Sequence, residues 1–154
     1  MADGRRRRKA ALLLVAVLIV TLVGLFYASM NPVRSSNWTP DSSGINCASY
    51  GTDFLVIVNR LGFNGSINKG VPQQRWPILC AHEGETVTIN VRNTDTIETH
   101  GFAIGFYYEG GVSIPAGRNV TISFAADRTG AFTLFCDIFC SVHPFMQSGV
   151  VVVR

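Results

Sequence analysis

At 154 residues, 47% of them hydrophobic, the chain has room for one membrane segment and one domain of about 100 residues, which excludes a second globular domain. Its net charge of +3 is local: Arg5 to Lys9 hold five of the thirteen basic residues beside Asp3, and beyond them eight basic residues face nine acidic ones. So neutral a body excludes a nucleic-acid partner.

Residues 1–9 read as a basic tail. Ala10 to Met30 then runs for 21 positions without a charge, enough at the helical rise to cross a hydrocarbon core of about 30 Å. With Arg5 to Lys9 ahead of it, the positive-inside rule predicts a single-pass cell-membrane helix over residues 10–30, its N-terminus cytoplasmic and all that follows outside. A cleaved signal peptide would have a shorter apolar run and an A-x-A-like site, and Tyr27-Ala28-Ser29-Met30-Asn31 offers none. Residues 31–50, rich in Ser, Asn, Pro and Gly, are expected to be a linker. Asn37, Asn64 and Asn119 head N-x-S/T sequons, which matter only in a host that glycosylates.

Residues 51–154 are expected to form an all-β domain. Phe54 to Val58 is continuous and apolar, and is expected to be a fully buried first strand. Leu61 to Pro77 is broken by Gly62, Gly65, Gly70, Pro72 and Pro77. So long a connection either covers one end of the domain or meets another subunit. Trp76 to Cys80 reads as a short strand, Glu83 to Glu85 as a turn, and Thr86 to Arg92 as an alternating strand with Val87, Ile89 and Val91 inward. His100 opens the next strand, through Ile104. Asn119 to Ala125 alternates again, Gly130 to Phe135 runs into Cys136, and Gly149 to Arg154 is a last buried strand. Short strands at this spacing predict a Greek-key β-sandwich with no long helix in the domain. Tyr107 and Tyr108 read as ordinary packing rather than a docking face, and His82 as a surface residue.

The last connection, Cys136-Asp137-Ile138-Phe139-Cys140-Ser141-Val142-His143-Pro144-Phe145-Met146, places two thiols, an imidazole and a thioether within eleven residues. Soft and borderline donors of this kind suit copper better than magnesium, calcium or manganese. Zinc is the first alternative, but structural zinc sites use C-x2-4-C and H-x3-5-H pairs without a thioether, whereas this loop reads C-x3-C-x2-H-x2-M. Met146 argues for copper. Cys47 and Cys80 either pair as a disulfide or remain thiols.

Gly130 to Cys136, Cys140, His143 and Met146, together with His100-Gly101-Phe102, resemble the copper-A domain of cytochrome c oxidase subunit II, in its short single-anchor form, over residues 54–154. The resemblance implies a cupredoxin-like sandwich in which Cys136 and Cys140 bridge two copper ions. Each ion would take one imidazole, from His100 or His143, with Met146 and the carbonyl of Ile138 as weak ligands. It also implies a haem-containing subunit I in the membrane and a soluble donor outside it, a cytochrome c or a small copper protein.

The sequence departs from that family in three places. Only Ser141 and Val142 separate Cys140 from His143, one residue fewer than the family spacing. Cys140 to Met146 instead resembles the C-x2-H-P-F-M loop of amicyanin, a mononuclear blue-copper carrier, which implies a one-copper alternative. Ile138 replaces an acidic residue common between the family's cysteines, and Ile97 stands where the family has an Asp before its first imidazole.

Overall fold

The computed structural model describes residues 17–21, 42 and 44–154. Of the membrane helix expected over residues 10–30 only 17–21 are described, and they are helical. The basic tail and most of the linker lie outside the described residues. Among the described residues no helix is long and apolar enough to cross a membrane.

The C-terminal domain is an all-β sandwich of two sheets. One holds β1 (Asp53–Asn59), β2 (Gly62–Phe63), β4 (Thr86–Asn93) and β7 (Asn119–Ala125) in the order β2-β1-β4-β7. The other holds β3 (Ile78–Ala81), β5 (His100–Ile104), β6 (Tyr108–Ile114), β8 (Gly130–Phe135) and β9 (Gly149–Val153) in the order β3-β9-β8-β5-β6. β1 runs parallel to β4, and β3 parallel to β9; the remaining pairs are antiparallel.

The core lies between the sheets. Val87, Ile89 and Val91 of β4 are fully buried, as their alternation predicts, in one cluster with Phe102, Ile104, Leu134, Val151 and Val153 of the other sheet. β9 is buried on both faces, because Val150 and Val152 form a second cluster with Cys80 and Ala131, against which Ile45 and Cys47 pack.

That second layer is fastened covalently. Cys47 and Cys80 form a disulfide across 33 residues, and the Arg154 guanidinium donates to the carbonyls of Ser42 and Ile45. Tyr50 stacks on the exposed ring of His82 at 4.4 Å. Closing a loop of this length stabilises the fold by about 3 to 4 kcal/mol in the chain-entropy model. The double substitution Cys47→Ser/Cys80→Ser is therefore expected to lower the unfolding free energy by about that amount in denaturant titration. Copper binding should persist, since neither residue belongs to the metal loop.

Three strands differ from expectation; one of them, β2, is a two-residue strand inside the stretch that reads as a connection. β1 is half-buried rather than fully so: Val56 and Val58 face the core, but Leu55 is 56% exposed, because no layer covers the outer face of its sheet. β6 has no counterpart in the sequence reading. Gly110 and Gly111 interrupt its pattern, and as an edge strand in which only Ile114 is buried it carries little apolar periodicity.

Tyr107 does pack. Its ring stacks on Phe124 at 4.5 Å and meets Phe132 edge-on at 4.6 Å, while its hydroxyl donates to the Arg128 carbonyl and accepts from the Arg128 amide. Burial raises the phenol above its ordinary value, partly opposed by the Arg128 backbone. A raised phenol contributes stability that is fully present below the unfolded value near 10 and is lost as pH rises through the folded one. Tyr107→Phe is expected to flatten the alkaline limb of the stability–pH curve and to lower stability at neutral pH by about 1 kcal/mol, because the Arg128 amide loses its acceptor.

Between β1 and β3 the long connection folds over the metal end of the sandwich. Phe63 is fully buried, a one-turn helix forms at Ser66–Lys69, and the Ser66 hydroxyl donates to the Phe145 carbonyl at 2.6 Å. Trp76 donates its indole N–H to the Asn64 carbonyl at 3.0 Å.

Candidate metal centre

The late loop is held before any metal is considered. β8 delivers Cys136, β9 resumes at Gly149, and a one-turn helix at His143–Met146 has Pro144 in its first turn, where a missing N–H costs least. The Cys136 amide donates to the Met146 carbonyl at 2.8 Å, and the His143 amide donates to the Cys140 carbonyl at 3.1 Å. The Gln147 side-chain amide donates to the Cys136 carbonyl at 2.9 Å. Both ends of the loop are thus tied to each other.

Within it the donors converge. The sulfurs of Cys136 and Cys140 lie 3.8 Å apart, and the Met146 sulfur is 3.9 Å from that of Cys140. The Ile138 carbonyl oxygen is 3.0 Å from the Cys136 sulfur and 3.0 Å from Nδ1 of His143. The ligand atoms of Cys136, Cys140 and His143 all lie within 4.8 Å of one another. Cys136, Cys140 and Met146 are buried, and His143 is half-buried.

His100 stands apart from that group. It is fully buried at the start of β5, and the amide of Gly101, the next residue, donates to the Cys136 sulfur at 3.2 Å. Its backbone therefore borders the site. Its ring, however, shares a second cluster with Asp95 and Glu98, and Nε2 is 3.5 Å from Oδ2 of Asp95. Cys47 and Cys80, joined to each other, lie in the other buried cluster.

The donors fit a soft metal ion. Two metal–sulfur bonds of about 2.3 Å meeting at a tetrahedral angle span about 3.8 Å, the separation the two sulfurs have. Burial, then the neighbouring Cys136 sulfur, pushes the Cys140 thiol up to about 12. Two adjacent thiolates are unfavourable on their own, and a bound cation reverses the preference. Neither ring nitrogen of buried His100 has a hydrogen-bond partner, although buried polar atoms generally find one.

Several residues that shape the site carry no signal in the sequence. Glu98 accepts from both the amide and the hydroxyl of Ser141, 43 positions away, and clamps the His100 loop to the metal loop. Those two bonds, the hydroxyl first, hold the Glu98 carboxyl below its ordinary value. Asp95 accepts from the amides of Ile97 and Glu98. Phe139, 89% exposed at the loop's tip, lies tilted beside the His143 ring at 5.7 Å.

No family model matches the chain. Nitrous-oxide reductases of Cupriavidus necator and Ralstonia nicotianae are each 36% identical to it over 73 residues, 46% of this chain. The match spans only 11% of the length of those curated relatives. Among solved structures, dithionite-reduced auracyanin from Roseiflexus castenholzii superposes with a TM-score of 0.53 at 17% identity, covering 69% of this chain and 99% of auracyanin. The multicopper oxidase McoA of Aquifex aeolicus superposes with a TM-score of 0.51 at 15% identity, over 70% of this chain and 30% of its own. At such identities the likeness establishes the fold: the domain is a cupredoxin-like sandwich, and its fold and sulfur–nitrogen donor set together support copper as the metal.

Proposed function

We propose that the chain is the electron-input subunit of a haem-copper oxygen reductase, anchored in the cell membrane and taking single electrons outside it through a binuclear copper-A centre. The observation that carries this reading is the pair of cysteine sulfurs at 3.8 Å, with the Ile138 carbonyl beside Cys136, Met146 Sδ beside Cys140, and a His143 ring nitrogen within 4.8 Å of both sulfurs. Two adjacent sulfurs with further donors around them offer enough ligands for two ions that share both sulfurs. The likeness to nitrous-oxide reductases is a second support, since a reductase must take electrons in.

Copper, when bound, supplies the one-electron redox chemistry. The chain's own residues fix its surroundings. Cys136 and Cys140 supply sulfur, His143 and His100 supply nitrogen, and Met146 and the Ile138 carbonyl complete the set. The buried sulfurs keep water away, and a loop tied at both ends changes shape little when charge arrives or leaves. Phe139, exposed beside His143, offers an apolar contact to a soluble cytochrome c or small copper protein. The chain alone is not catalytic in this reading; oxygen reduction belongs to a haem-containing subunit I.

The test is purification of the full chain from its native membrane in mild detergent. It should carry copper, co-purify with a haem-bearing subunit and pass electrons to that haem. Recovery as a copper protein without haem would overturn the oxidase reading in favour of a membrane-tethered mononuclear blue-copper carrier. The carrier reading has observations of its own. Only two residues separate Cys140 from His143, and the raised Cys140 thiol is what a protonated bystander would show.

A further inference from the structure

His100 and Asp95 form a buried pair whose role the ligand list leaves open. Both side chains are almost fully enclosed, at 0% and 1% exposure, and neither His100 nitrogen nor Asp95 Oδ2 has a hydrogen-bond partner. A neutral imidazole must carry its proton on one nitrogen, and a buried N–H seeks an acceptor. Asp95 Oδ1 is already engaged by the amides of Ile97 and Glu98. Both carboxylate oxygens of nearby Glu98 are taken by Ser141. Among the described residues this leaves Asp95 Oδ2, 3.5 Å from Nε2, as the acceptor facing the ring. The Arg60 guanidinium, 3.7 Å from the same oxygen, offsets the carboxylate's charge.

We infer that Asp95 is a positioning residue that sets the tautomer of His100: it holds the proton on Nε2 and leaves Nδ1, which has no hydrogen-bond partner, with its lone pair free for a metal. The inference deepens the proposed function and rests on His100 being a copper ligand. A ligating imidazole is commonly oriented this way by a carboxylate on its other nitrogen. Position 95 lies five residues before the imidazole, so this carboxylate is distinct from the family's Asp, whose place Ile97 occupies.

Asp95→Asn tests the assignment without dismantling the loop. The Asn oxygen can still accept from the amides of Ile97 and Glu98, which turns its NH2 group toward His100. A donor facing Nε2 requires a lone pair there, so the proton moves to Nδ1. Long-range 15N–1H spectra of the metal-free full chain in detergent micelles read the tautomer directly, and only His82, His100 and His143 contribute. The expected result is Nε2–H at His100 in the wild type and Nδ1–H in Asp95→Asn, with copper affinity lowered about 10- to 100-fold in the variant. Nδ1–H in the wild type, or Nε2–H retained in Asp95→Asn, would overturn the inference. Inversion of the tautomer with copper affinity unchanged would uphold Asp95's role and remove His100 from the ligand set, so the two failures are distinguishable.

Discussion

On the proposed copper-A reading, Cys140→Ser is expected to reduce the copper bound per folded chain from two ions to at most one and to abolish the thiolate colour of the paired site. Cys140 is buried, and its sulfur is within 3.9 Å of both the Cys136 and Met146 sulfurs, so no other side chain can take its place between them. Serine is smaller and folds into the same space, at a cost of about 1 to 3 kcal/mol for burying a hydroxyl. Its oxygen is a hard donor in a soft site, and copper follows donor softness. Metal analysis of the folded variant, with circular dichroism to verify the sandwich, reads the result. Unchanged stoichiometry and colour would remove Cys140 from the centre and favour the one-copper carrier.

Gly101→Ala should be nearly as damaging, although residue 101 supplies no side chain to the metal. A Cβ there would fall 2.8 Å from the Ile138 amide nitrogen and 2.9 Å from that of Asp137, besides striking the Asp137 carboxylate. The carboxylate can swing aside, but the two backbone atoms belong to the metal loop and cannot. The loop must move, carrying the Ile138 carbonyl with it and breaking the Gly101 amide's bond to the Cys136 sulfur. Overpacking of this kind costs about 1 to 3 kcal/mol. Copper affinity should fall at least about tenfold, as for lost outer support of a metal site. Gly110→Ala is the control: nothing lies within 4 Å of its added carbon, and its effect on copper binding should be negligible.

How much of this was legible depended on whether the signal was contiguous. The metal loop was readable because four donor side chains, Cys136, Cys140, His143 and Met146, fall within eleven residues. Val87, Ile89 and Val91 were readable because a half-buried strand repeats every two residues. β1 misled, since its apolar run looks the same whether one face or both are covered, and only the assembled sheet shows that Leu55 meets solvent. β6 was invisible because an edge strand containing two adjacent glycines and a single buried residue has no pattern to find.

The supporting residues were harder still. Glu98 and Ser141 are 43 positions apart, and Ser66 and Phe145 are 79 apart, so nothing local marks them as neighbours. Asp95 lies close to His100 in sequence, yet a carboxylate five residues before a histidine is common and says nothing of burial. Its importance appears only when both side chains are seen enclosed with no other acceptor in reach. The chemistry of the ligands is written in the chain; the arrangement that aims them is written in the fold.

The most direct test of the central claim, that these sulfurs and imidazoles hold two coppers sharing one unpaired electron, is the EPR spectrum of the copper-loaded full chain. A shared electron couples equally to two copper nuclei and gives a seven-line hyperfine pattern, which is the result expected. A four-line pattern from a single copper nucleus would contradict it.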